Sequence, residues 1–100
     1  MAMEDLRRSP RASVRTSGRL VFEWGELEGT IENLGEGGLY FVTDTWEGPV
    51  AVGDAVTTVF QWPEDAREQR RTAEVLRVER YFHEGELFRS FAVRFNGQPA

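Results

Sequence analysis

The 100-residue sequence contains neither cysteine nor lysine, and its single histidine is His83. Without cysteine the chain cannot form disulfides, thiolate nucleophiles or zinc–thiolate sites. Without lysine it cannot form a Schiff base, and a lone histidine in a predicted hairpin turn gives little support to a Ser-His-Asp constellation. A Gly-x-x-x-x-Gly-Lys phosphate loop is also missing. We therefore expect a protein that is not an enzyme and has no catalytic residues, metal site or cofactor.

Long hydrophobic runs are also missing. No stretch approaches the roughly 18 consecutive apolar residues of a membrane-spanning helix, so we expect no membrane insertion. The first eight residues are polar where a signal peptide would be apolar, which predicts a cytoplasmic location. Forty per cent hydrophobic residues in a chain of this length indicate one packed domain.

Charge is divided unevenly along a chain whose net charge is −5. Residues 1–20 carry five arginines against two acids, and the remaining eighty carry seven arginines against fifteen acids. Proteins that bind DNA or RNA derive most of their affinity from neutralising phosphates, so the acidic body argues against both as partners. A small anion held by the basic amino-terminal segment remains compatible with this pattern.

Alternating hydrophobic residues separated by turn-forming residues predict an all-β fold, a small six-stranded antiparallel β-barrel over residues 13–97. Residues 1–12 show no apolar period and are predicted to form a flexible, arginine-rich arm. The polar stretch 63–71 is predicted to be a connection with at most one helical turn, and 83–86 a hairpin loop. The predicted strands are 14–24, 27–34, 39–43, 55–62, 72–82 and 87–96.

In the fifth predicted strand the hydrophobic phase changes. Ala73 and Val75 share one phase, whereas Leu76 and Val78 share the other. A β-bulge near Val75 explains this change, and it would bend the strand as a closing barrel requires.

Two segments are candidates for ligand binding. Arg7, Arg8 and Arg11 surround Pro10, which favours an extended arm whose guanidinium groups can contact phosphates or stack on a base. The stretch 32–40 contains three glycines in four positions, which predicts a tight turn. Glycine there permits positive φ and lets a flat ligand approach the backbone closely. Asn33 places an amide at the edge of this turn. Tyr40 is the one aromatic residue expected beside it.

Taken together, these segments resemble the PilZ domain, the bacterial receptor module for cyclic di-GMP. That family carries Arg-x-x-x-Arg before its first strand, matched by Arg7 and Arg11. It also carries Asp/Asn-x-Ser-x-x-Gly between its second and third strands, matched by Asn33 and Gly38. The resemblance covers about residues 6–96 and extends to the later segments 52–56, 73–78 and 91–95.

The resemblance implies a single-domain receptor whose protein-interaction surface changes when cyclic di-GMP binds, with motility or biofilm regulation as output. Arg7 and Arg11 would contact the phosphates and guanine, and Arg8 would add charge or stacking. Asn33 would bond a guanine edge. Gly38 would permit close backbone approach.

One position departs from the family pattern, because Gly35 replaces the motif serine and its hydroxyl. The backbone N–H of Gly35 remains available for the ligand in this interpretation, which predicts a weakened receptor. The alternative is a degenerate PilZ-like adaptor that binds no nucleotide and acts through constitutive contact with a protein partner, still unidentified. A third class, a barrel that binds single-stranded nucleic acid, needs a basic groove lined with aromatics. The acidic body argues against it.

Overall fold

The computed structural model describes residues 15–62 and 65–97, which form six β-strands. These residues include no helix long and apolar enough to cross a membrane. The strands are β1 (Arg15–Phe22), β2 (Gly25–Glu32), β3 (Gly38–Thr43), β4 (Ala55–Trp62), β5 (Asp65–His83) and β6 (Glu86–Phe95). All neighbouring strands are antiparallel, and the order β1-β2-β3-β6-β5-β4 closes into a ring because β1 also pairs with β4. The predicted six-stranded antiparallel barrel is therefore confirmed.

The predicted strands agree with these bounds to within two residues, except at the start of β5. The connection predicted over 63–71 is wrong, because β5 begins at Asp65 and pairs with β4 from there to Glu74. The beginning of β5 consists mostly of polar residues, so it lacks the alternating hydrophobic pattern that predicts a strand. Arg71 lies on the same face as buried Ala73, and its guanidinium lies 4.5 Å from the centroid of the Phe95 ring. A cation thus covers core surface where a hydrophobic residue would have indicated a strand.

The predicted bulge in β5 is confirmed by a register shift between Val75 and Arg77 along the β5–β6 ladder. Val75 is fully buried, Leu76 is 44% exposed, and Val78 packs against the core again. The bulge therefore places two successive residues, Leu76 and Arg77, on the outside of the barrel before the inward phase resumes at Val78. The predicted hairpin loop is confirmed as well, with left-handed backbone at Glu84 and Gly85 between β5 and β6.

Aliphatic and aromatic side chains from all six strands fill the barrel interior. Phe41 stacks on Phe91 with ring centroids 6.1 Å apart, and Phe60 stacks on Phe95 at 5.7 Å. Such offset aromatic pairs contribute beyond the area that they bury. The core closes the barrel interior, so a ligand has to bind on the outer wall or at an end. The core residues are Leu20, Phe22, Leu27, Ile31, Leu34, Leu39, Phe41, Val56, Phe60, Ala73, Val75, Phe91, Val93 and Phe95.

Arg89, which is buried on β6, holds the loop between β3 and β4. Its guanidinium donates hydrogen bonds of 2.8–3.1 Å to the backbone carbonyl oxygens of Thr45, Glu47 and Gly48. It also lies 5.2 Å from the centroid of the Trp46 ring. Burial lowers the pKa of Arg89 from its ordinary value through desolvation, but arginine keeps its charge near neutral pH. The loop is therefore fixed to the barrel by one charged side chain.

Candidate functional site

The turn between β2 and β3 contains two of the predicted site residues, Asn33 and Gly35. Leu34 between them is fully buried and anchors the turn to the barrel. The Gly35 N–H donates a 2.9 Å hydrogen bond to the carbonyl oxygen of Gly38. The glycines of this turn do not adopt the positive φ that glycine permits, whereas Asn33 has left-handed backbone, at φ 55°. Asparagine is one of the few residue types besides glycine that adopt this conformation readily.

Gly38 begins β3, where the backbones of β3 and β6 approach closely. A Cβ at this position would overlap the carbonyl oxygen of Val93 and lie 3.1 Å from the Cα of Arg94. The adjacent Phe95 N–H donates a 2.8 Å hydrogen bond to the carbonyl oxygen of Gly37. Glycine at position 38 is therefore required by strand pairing alone. A substitution there changes the fold as well as any ligand contact.

A groove of about 550 Å³ lies on the outer wall beside this turn. We call it the β3–β6 groove. It brings together two predicted site residues, Asn33 and Gly38, whereas Gly35 is buried and does not line it. Among the described residues, those that line the groove are Asn33, Gly37, Gly38, Leu39, Tyr40, Leu76, Arg77, Ala92, Val93 and Arg94.

Charge distinguishes this groove from a larger hollow of about 800 Å³ elsewhere on the barrel. The charged residues that line the larger hollow are Arg19 with three acids, Glu28, Asp44 and Glu68. Within residues 15–62 and 65–97, the charged residues that line the β3–β6 groove are two arginines and no acid. An anionic ligand is attracted by the second arrangement and repelled by the first. The smaller groove is therefore the better anion site, although it has the smaller volume.

The two groove arginines, Arg77 and Arg94, were missed by the sequence analysis. Arg94 Nη2 lies 2.9 Å from Glu74 Oε1, and Arg77 Nε lies 3.2 Å from Glu79 Oε2. Both arginine side chains remain 59% exposed. Arg94 enters the groove because it lies opposite Gly38 in the β3–β6 register. The sequence could not indicate this position for Arg94, because local periodicity does not reveal which strands are neighbours in a barrel or how they are aligned.

Tyr40, predicted beside the glycine-rich turn, lines the same groove. Its hydroxyl donates a 2.9 Å hydrogen bond to Oγ of Ser90, which is almost completely buried. The bond fixes the ring against the outer face of β6. The groove therefore has one oriented aromatic wall and one exposed aliphatic residue, Leu76, between its cationic groups.

The predicted arm residues Arg7, Arg8 and Arg11 lie outside the described residues. The start of the described chain nevertheless shows where the preceding segment is attached. Arg15 pairs with Glu32, the residue before Asn33. The amino-terminal segment is thus joined to the barrel at the end that carries the β2–β3 turn.

Comparisons with known proteins agree with this architecture. A search of curated proteins found no match. The inhibitor of motility MotI/DgrA from Bacillus subtilis has a similar fold, with a TM-score of 0.70 and 17% sequence identity. The match covers 94% of this chain but only 44% of that protein, so the chain spans less than half of its length. The profile of the PilZ domain matches residues 5–100. The chain belongs to the PilZ domain family.

Proposed function

We propose that this PilZ domain binds cyclic di-GMP in the β3–β6 groove and changes its protein-interaction surface on binding. The observation that carries the proposal is the groove itself. It contains Asn33 and Gly38 from the family motif, and the charged residues that line it in the described part of the chain are Arg77 and Arg94. Such a site is suited to a ligand that has two phosphates and hydrogen-bonding base edges.

The attachment of the arm supports a role for its arginines at this groove. Arg11 precedes Arg15 by four residues and Arg7 precedes it by eight, so extended chain spans at most about 14 Å and about 29 Å respectively. Both distances are measured from Arg15, which lies at the end of the barrel that carries Asn33. In this proposal Arg7 and Arg11 contact the phosphates and guanine, and Arg8 adds charge or stacks on a base. Asn33 bonds a guanine edge.

Gly35 is the weak point of the proposed site. It supplies no hydroxyl, and its N–H already donates to Gly38, so the ligand gains that donor only if the turn rearranges. One missing hydrogen bond costs on the order of 1 kcal/mol, which lowers affinity roughly fivefold. We therefore propose a weakened receptor. Because the φ of Gly35 is not positive, a side chain at this position requires no left-handed backbone.

The proposed mechanism is a population shift of the arm. Ligand phosphates bind the arm arginines only when the arm lies against the barrel, so the ligand favours that arrangement by its differential contacts. The covered surface then differs from the free one, and a protein partner distinguishes the two. Motility, surface attachment and biofilm formation are the outputs that the family suggests.

The same turn favours a second candidate function, an adaptor that binds no nucleotide. The specific observation is the engaged N–H of Gly35 together with the missing serine hydroxyl. Such an adaptor would contact its partner constitutively.

Isothermal titration calorimetry with cyclic di-GMP distinguishes the two functions. The receptor predicts saturable micromolar binding that is lost in Arg11→Ala and unchanged in Arg70→Ala. Arg70 is the control because it is exposed on β5 and does not line the groove. Gly35→Ser is expected to tighten binding about fivefold by supplying the missing hydroxyl. No binding by the native chain would support the adaptor instead.

A further inference from the structure

We infer that Arg94 contacts the ligand directly and that, in the ligand-free state, the Glu74 carboxylate binds the Arg94 guanidinium instead. Glu74 therefore competes with the ligand as an internal anion and lowers the affinity for the ligand. This inference rests on the proposed function and adds a residue pair outside the PilZ motifs that this chain matches. Its basis is geometric. Arg94 lies opposite Gly38 on the groove wall, and its guanidinium is 2.9 Å from Glu74.

Arg94 is accessible to a ligand because its register partner, Gly38, has no side chain. Gly38 contributes only backbone on the β3 side, so the groove stays open between Asn33 and Arg94. Arg77 and exposed Leu76 lie on the opposite wall, which belongs to β5. A planar guanidinium at this place matches a pair of acceptors, such as two phosphate oxygens or O6 and N7 of guanine.

Glu74 is a suitable competitor because its hold on Arg94 is weak. Glu74 and Arg94 are register partners on β5 and β6, and both side chains are exposed to solvent at 39% and 59%. Exposed ion pairs of this kind contribute little, because water screens them. A ligand can therefore replace the carboxylate at small cost. The Glu74 carboxylate does not line the groove, so Arg94 must exchange one anion for the other.

Calorimetric titration of cyclic di-GMP into four chains tests the inference: native, Glu74→Gln, Arg94→Gln and the double variant. We expect Arg94→Gln to weaken binding about tenfold through loss of a charge-assisted contact. Glu74→Gln is expected to tighten binding about twofold to fivefold. In the double variant the gain from Glu74→Gln is expected to disappear, because the carboxylate no longer has Arg94 to hold.

The matched control is Glu68→Gln. Glu68 also pairs with an arginine, the half-buried Arg19, at 3.4 Å, but both line the larger hollow rather than this groove. Removing its charge tests whether any lost carboxylate attracts the anionic ligand. We expect the affinity of Glu68→Gln to equal that of the native chain. Thermal unfolding of every variant confirms that it is folded at the titration temperature.

Three outcomes overturn the inference in distinguishable ways. If Arg94→Gln binds as tightly as the native chain, Arg94 is not a contact, while the receptor function stands. If Glu74→Gln tightens binding equally with and without Arg94, or if Glu68→Gln tightens it as much, Glu74 acts only through overall charge. If the native chain binds no cyclic di-GMP, the proposed function fails and this inference fails with it.

Discussion

Replacing buried Arg89 with methionine should destabilise the domain more than the same replacement of any other arginine among the described residues. The guanidinium makes four hydrogen bonds to three loop carbonyl oxygens. Two of these oxygens belong to half-buried residues, Thr45 and Gly48, and one to exposed Glu47, which water can reach. A buried acceptor left without a donor costs about 1–3 kcal/mol. Counting only the carbonyl oxygens of the two half-buried residues, the expected loss is about 2–6 kcal/mol.

That loss is large relative to the total. A domain of this size has a free energy of unfolding of about 5–15 kcal/mol, and each kcal/mol shifts the melting temperature by about 4–8 °C. Urea unfolding followed by tryptophan fluorescence and circular dichroism measures the difference. Arg89→Lys keeps the charge but lacks the planar fork that reaches three carbonyls, so its stability is expected to fall between those of the native and methionine chains.

Arg80→Met is the matched control, because Arg80 lies directly opposite Arg89 on β5 and is exposed. An exposed substitution of this kind changes stability by about 0.5 kcal/mol or less. A loss below about 1 kcal/mol in Arg89→Met would refute the reasoning, since it would mean that water replaces the guanidinium at every carbonyl. An equal loss in Arg80→Met would refute it too, because the effect would then belong to arginine on this hairpin in general.

Other predictions concern single contacts. Gly38→Ala is expected to cost about 1–3 kcal/mol, because its methyl group would overlap a β6 carbonyl oxygen, whereas Gly37→Ala has open space and should be nearly neutral in the same urea titration. Glu84→Asn should raise stability by about 0.5 kcal/mol, since asparagine suits left-handed backbone in a two-residue hairpin; a lower melting temperature would contradict this. Tyr40→Phe removes the hydrogen bond to buried Ser90 and should cost about 1 kcal/mol; an unchanged unfolding midpoint would show that water replaces it.

The barrel was predictable from sequence wherever local pattern and local structure coincide. The bulge near Val75 and the hairpin at Glu84 and Gly85 follow from a phase change and from turn-forming residues, and both are confirmed. The beginning of β5 was not predictable, because Arg71 faces the core through its contact with Phe95. Strand prediction from hydrophobic alternation counts only apolar side chains as core-facing, so it does not recognise an arginine whose guanidinium stacks on an aromatic ring.

The candidate site was predictable only in its motif residues. Asn33 and Gly38 were identified from spacing, and the structure brings them to one groove. Arg77 and Arg94 lie 39 and 56 residues beyond Gly38 in the chain, so only the register of β3, β5 and β6 places them beside the motif. Gly38 also shows that spacing alone does not separate a ligand requirement from a packing requirement, because its missing Cβ is already explained by β6.

Closure of the sheet into a ring limits how a signal can leave this domain. Each strand is hydrogen-bonded to neighbours on both sides, so tilting one strand would disturb two ladders at once. In the proposed receptor, a dinucleotide on the outer wall therefore has little mechanical leverage on the ring itself. The proposed signal arises instead from exchange of ion partners on the wall and from the amino-terminal segment, which is joined to the ring at Arg15. In that proposal the barrel is a stiff platform, and regulation acts through the side chains and segments on its outer surface.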